Sequence, residues 1–252
     1  MEKTRLNRKA PRRRLLLAAA AAASLMPARA AGRGEAERVK MECSADVVSS
    51  YVWRGTQCAG FSVQPDLTVS WPRTGFSVGA WASAELFGRR TFANMTEFDL
   101  TGSYAVGGLT ASLTDYYFCD ERYLSSWTFS AASAHRLEAT LAYDFGPASL
   151  SWSTCLTGPD HSARGGKRLY STYIEASAPF TLGGVECMAT VGGVPWEVST
   201  FICAGGEAPS RHANVVNCSL AAQKALRGIP LMVQITYNPY TEGMYFVVGA
   251  HF

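Results

Sequence analysis

Phe61-Ser62-Val63-Gln64-Pro65-Asp66-Leu67-Thr68-Val69-Ser70-Trp71 sets apolar side chains and one proline at the odd positions and polar side chains at the even ones. Successive side chains of an extended strand point to opposite faces, so this stretch reads as a strand with one apolar and one wet face. After a short Pro72-Arg73-Thr74-Gly75 turn the pattern repeats, with Phe76, Val78, Ala80, Ala82, Ala84 and Leu86 opposing Ser77, Gly79, Trp81, Ser83 and Glu85. Two such strands joined by a Pro/Gly turn form an antiparallel hairpin.

Similar alternation marks strands over 46–54, 97–106, 109–118, 136–145, 148–156, 170–180, 185–191, 215–223, 231–238 and 244–252, which makes about twelve. Most have the roughly 9 to 11 residues that a tilted strand needs to cross a bilayer. The connections alternate in length. Short turns at 71–75, 106–108, 145–147, 182–184 and 226–228 use Gly or Pro for the bend, and longer loops lie between them at 87–95, 119–134, 158–167 and 194–211. Short turns on one side and long loops on the other are the arrangement of a transmembrane barrel. The fold expected is all-β: a single antiparallel transmembrane β-barrel over 45–252, with short turns and chain ends on the periplasmic side. An even strand count brings the ends together, and closure leaves no unpaired edge in lipid.

Residues 1–30 read as a signal peptide. Lys3, Arg5, Arg8, Lys9 and Arg12 to Arg14 precede an apolar run of about twelve residues that closes on Ala28-Arg29-Ala30. The run is too short to span a bilayer as a helix. Cleavage there would leave a short periplasmic segment, 31–44, before the barrel, and would place the protein in a bacterial outer membrane. Eight of the 23 Lys and Arg and one of the 20 Asp and Glu lie in that peptide, so the remainder carries about −4 rather than +3. No basic stripe is left for nucleic acid.

The last strand carries Met244, Phe246, Val248, Ala250 and Phe252 on one face and ends on an aromatic. That row resembles the C-terminal signal read by the outer-membrane assembly machinery, an expected partner alongside outer-membrane lipid. Tyr51, Trp53, Trp71, Tyr104, Tyr117, Tyr143, Phe145, Phe180 and Tyr237 fall on the apolar parity, mostly near strand ends, where aromatic girdles sit. A soluble β-sandwich also alternates along short strands. The leader, the loop rhythm and the terminal Phe252 count against it.

The order of segments resembles the TorF-type porin family of small bacterial outer-membrane barrels. The residues that carry the likeness are 46–57 (Asp-Val-Val-Ser-Ser-Tyr-Val-Trp-Arg-Gly-Thr-Gln), Gln64-Pro65, 75–83 and 97–100. Residues 166–173 and 194–197 are similar to later stretches of Bacteroides-like members. The resemblance implies a barrel and a porin-like role and supplies no catalytic residues.

Taking the polar parity as the lumen turns Asp46, Asp66, Glu85, Glu97, Asp99, Glu138, Asp144, Glu175 and Glu186 inward, against Arg54 and Arg136. An open acidic lumen would favour cations. Alternatively, Arg pairs, Gln64, Asn217, Gln234 and tyrosines hold these carboxylates in a closed barrel. His135, His161, His212 and His251 sit on different elements and make no metal site. His135 and His212 carry the outward parity, where a lipid-modifying enzyme would place its base, but no orienting partner is legible. Seven cysteines lack any CxxC pair. A disulfide among Cys58, Cys119 and Cys203 is open, and Cys187 and Cys218 are expected to face lipid. The expectation is a passive channel for small hydrophilic solutes, not an enzyme and without cofactor, its mouth shaped by loops 119–134 and 194–211. The alternatives are a closed barrel acting through its loops, or a lipid-modifying enzyme.

Overall fold

The computed structural model describes residues 39–87, 95–118, 135–162, 166–199 and 210–252, with the side chains of residues 95 and 96 set aside. Much of the loops at 119–134 and 194–211, the leader and most of the segment before the barrel therefore lie outside the described residues.

In chain order the strands are β1 (Lys40–Val48), β2 (Tyr51–Trp53), β3 (Thr56–Ala59), β4 (Ser62–Trp71), β5 (Phe76–Glu85), β6 (Met95–Val106), β7 (Leu109–Phe118), β8 (His135–Asp144), β9 (Ser149–Cys155), β10 (Thr172–Leu182), β11 (Val185–Val194), β12 (Asn214–Leu226), β13 (Ile229–Asn238) and β14 (Gly243–His251). Twelve of them, β1 and β4 to β14, pair antiparallel with their neighbours into a closed barrel, while β2 and β3 form a separate hairpin. The expected strand count and closure are found, and no helix occurs among the described residues.

Two expectations are corrected. The first wall strand is Lys40–Val48, not 46–54, so the barrel includes part of the segment placed before it. Residues 51–54 leave the wall after a bend at Ser49-Ser50 and enter the hairpin. Tyr51 and Trp53 are therefore buried inside the barrel rather than in an outer girdle.

The outward parity is apolar around the circumference. Leu67, Val78, Leu100, Leu113, Leu141, Leu150, Val191, Leu220, Ile235 and Phe246 are all exposed, from ten different strands. A soluble monomer does not present so continuous an apolar belt, which removes the sandwich alternative. Trp71, Phe76 and Tyr104 lie near the turn ends of adjacent strands, Phe76 and Tyr104 with ring centroids 4.8 Å apart, and Tyr143 and Phe145 pair likewise at 4.6 Å. These outward rings form the expected girdle at the turn end.

Stagger at the seam explains why the first loop turns inward. The upper end of β1, Val48, pairs with Gly249, far along β14 from its loop-end start at Gly243. Wall on the β1 side thus stops short, and the hairpin that follows it crosses the interior instead of rising above the rim. At the lower end, Ala45 and Phe252 exchange backbone N–H···O bonds of 3.1 and 3.0 Å.

Candidate functional site

The lumen has two unlike halves. Rows of short hydroxyls cross the inner wall and slant from the turn end toward the loop end: Ser70, Ser77, Ser103, Ser112, Thr140 and Ser153 follow one another over six strands. A second row runs Ser149, Ser177, Thr190, Ser219, Thr236. A twelve-stranded barrel is wider than the barrels of about eight strands that side chains alone fill. The wall hydroxyls bond one another across strands, as with Thr140 and Ser153 at 2.8 Å and Ser177 and Thr190 at 2.9 Å.

Toward the loop end the lumen is stoppered by the β2–β3 hairpin. Tyr51, Val52 and Trp53 are all buried, although adjacent strand residues face opposite ways, because the hairpin meets wall on both sides. Tyr51 and Trp53 pack with Tyr116 and Phe118, and Val52 packs with Val48, Met232 and Val247. The Tyr51 hydroxyl donates to Glu97 Oε2 at 2.9 Å. At the tip, Gly55 has φ of 80° and sits against the backbone of Val216 and Asn217, and its carbonyl accepts from Asn238 Nδ2 at 3.0 Å.

Arg54 is the latch. Its guanidinium donates to both Glu138 oxygens, Nη1 and Nη2 at 2.8 Å each, and both side chains are almost fully buried. It also lies over the Trp53 and Tyr173 rings, at 4.4 and 4.6 Å from their centroids. Burial opposes the Arg54 charge, but Glu138 beside it more than offsets this and holds the guanidinium protonated. A planar fork on a carboxylate between aromatic faces is a geometry arginine supplies and lysine does not. Tyr116 Oη donates to Glu138 Oε1 at 3.1 Å. Tyr173 Oη donates to Glu175 Oε2 at 2.7 Å, and Gly192 leaves room for that ring, since a Cβ there would strike it.

Of the residues expected to line the lumen, Glu97, Asp99, Arg136 and Glu138 surround the hairpin. Glu85 accepts from Gly60 N at its base (3.0 Å), and Glu175 lies on the far wall. Asp66 stands lower, beside Thr68. Arg54 reaches the lumen from the hairpin and not from the wall. Arg136 lies over the Phe118 ring at 5.0 Å. Tyrosine partners for the inward carboxylates belong to the closed-barrel alternative, and Tyr51, Tyr116 and Tyr173 supply them; that a hairpin carries Tyr51 and Arg54 to these carboxylates is not visible in local alternation.

Two histidines acquire carboxylate partners. His251 Nδ1 meets Asp46 Oδ1 at 2.7 Å across the β1–β14 seam, and His135 Nδ1 meets Asp115 Oδ2 at 2.9 Å on the outward side, beside Tyr117. Cys187 and Cys218 lie outward as expected. Cys58 is disulfide-bonded, whereas Cys43, Cys155, Cys187 and Cys218 are free. Alkylating the denatured protein before reduction should label those four and spare Cys58; label on Cys58 at that stage would contradict the pairing.

A family model described as a bacterial protein of unknown function (Gcw_chp) matches residues 34–198, about two thirds of the chain. The match takes in the hairpin, Arg54, Glu138 and Tyr173. No curated protein matches the chain.

Proposed function

This chain belongs to the Gcw_chp family of bacterial proteins of unknown function, and we propose that it is an outer-membrane channel for small hydrophilic solutes, cations before anions, which the β2–β3 hairpin holds closed. The observation that carries the reading is the contrast between the two lumen halves. A barrel built only as a structural wall would gain by filling its interior throughout. This one lines much of its inner wall with short hydroxyls, half-exposed at Ser70, Ser77, Ser103 and Ser112, and closes the loop end with a separate element held by apolar packing and by the Arg54–Glu138 and Tyr51–Glu97 contacts.

The apolar belt and aromatic girdle suit a bilayer, and the fold is one of the two that can span it with every backbone group paired. The likeness of residues 46–57 to TorF-type porins points the same way. Cation preference follows from the excess of inward carboxylates, since their field concentrates positive charge and repels negative. Glu42, Asp46, Asp66, Asp144 and Glu186 all lie on the inward parity below the hairpin.

The test is localisation together with permeation. Protein expressed with its leader should fractionate with the outer membrane, and vesicles reconstituted with a hairpin-deleted form should swell in small sugars faster than those with the whole chain. Equal impermeability of both would overturn the channel reading in favour of a closed barrel acting through its loops. The outward Asp115–His135 pair is what favours lipid chemistry instead. Phospholipid or lipid A turnover that His135→Ala abolishes would put an enzyme in the channel's place.

A further inference from the structure

Under the hairpin, two carboxylates and an amide are buried without the partners such groups require. Glu97 and Asp99 are successive inward residues of β6, and the register sets Gln64 of β4 across from them with Ser83 of β5 between. Val63 pairs with Ala84, Asp66 with Trp81, and Ser83 with Glu97. Glu97, Asp99 and Gln64 are 2 %, 8 % and 1 % exposed. Glu97 Oε2 is taken by Tyr51, but Glu97 Oε1, Asp99 Oδ1 and both amide atoms of Gln64 have no hydrogen-bond partner among the described residues. Cross-strand neighbours stand about 5 Å apart, so Gln64 and Glu97 can lean toward each other over the small Ser83.

Among the described residues the buried carboxylates are Asp46, Glu97, Asp99, Glu138 and Asp160; Arg54 pairs with Glu138, His251 with Asp46, and Asp115 faces outward onto His135, which leaves Glu97 and Asp99 with no ion pair to a described residue. A carboxylate in such a place stays ionised only beside a cation and otherwise takes up a proton. Carboxylate, amide and hydroxyl oxygens are hard donors that suit hard cations.

We propose that Gln64, Glu97 and Asp99 form a binding site for one alkali cation of the sodium or potassium class beneath the hairpin. The ion would supply the missing positive charge and tie β4 to β6 below Tyr51. Gln64 contributes its amide oxygen and no charge, and the Arg136 and Arg54 guanidiniums near Glu97 offset part of the carboxylate charge, which matches the site to a monovalent rather than a divalent ion.

The test compares thermal unfolding of purified protein in sodium, potassium and choline chloride at one ionic strength. Exchange of sodium or potassium for choline should lower the wild-type midpoint by about 2–4 °C, the shift expected of one bound ligand in a chain this size. Asp99→Asn should remove that difference. Equal wild-type midpoints in the three salts, or a difference that survives in Asp99→Asn, would overturn the proposal. Should that variant fail to fold, crystals of the wild type soaked in thallous ion decide: an anomalous peak among Gln64, Glu97 and Asp99 is expected, and its absence refutes the site. Neither readout needs conduction, so the channel reading and the ion site can fail separately.

Discussion

Arg54→Ala is expected to raise the open probability of the reconstituted barrel by about a hundredfold or more. Removing one partner of a buried ion pair costs about 3–5 kcal/mol, because the other charge is left buried and alone. Here the penalty falls on the closed state: with Arg54 gone, Glu138 regains a favourable environment only if the hairpin withdraws and water reaches it. At about 1.4 kcal/mol per tenfold change, even the lower end of that range exceeds a hundredfold shift between closed and open. Because Arg54 belongs to the hairpin, the twelve wall strands keep all their ladders. The variant should therefore still assemble as a barrel that resists unfolding in detergent. Single-channel recording of wild type against variant measures the ratio. Equal open probabilities in two well-formed barrels would show that the hairpin is not held by this latch.

Gly55→Ala should release the hairpin by a different route. The left-handed backbone conformation alone costs an alanine about 1–2 kcal/mol. The added Cβ would also overlap the carbonyl oxygen of Val216 and press on Asn217, and these are backbone atoms of the wall that no side-chain rotation can clear. The tip must then lift, breaking the Asn238 bond to the Gly55 carbonyl and tilting Arg54 off Glu138. The expected outcome is protease cleavage within 49–61 in a barrel whose wall remains resistant. Cleavage no faster than in the wild type would contradict the tight seating of the tip.

Most of the wall was legible from alternation, because a barrel strand repeats one physical demand at each second residue: apolar toward lipid, polar toward the lumen. The start of β1 was not. Lys40, Glu42 and Ser44 alternate with Met41 and Cys43, but this stretch pairs only with β4, and its two charges so near the leader obscure the short pattern. The hairpin was missed for a related reason. Tyr51-Val52-Trp53 is extended and apolar, and extension says nothing of which sheet a segment joins. The inward parity of Arg54 was read correctly from a mistaken strand, and its partner Glu138 lies 84 residues away, beyond any local pattern. The carboxylates near the hairpin could be identified from sequence as inward. Which of them are paired and which are not is decided by strand stagger and by the fold of the first loop.

The most direct measurement is the reversal potential of the hairpin-deleted barrel in a bilayer separating two potassium chloride concentrations. A potential displaced toward the potassium equilibrium value is predicted, and weakened displacement is expected when Asp66 and Glu186 are neutralised together. A potential at zero or displaced toward chloride, or a hairpin-free barrel that passes no current, would contradict a cation-preferring channel closed by its own first loop.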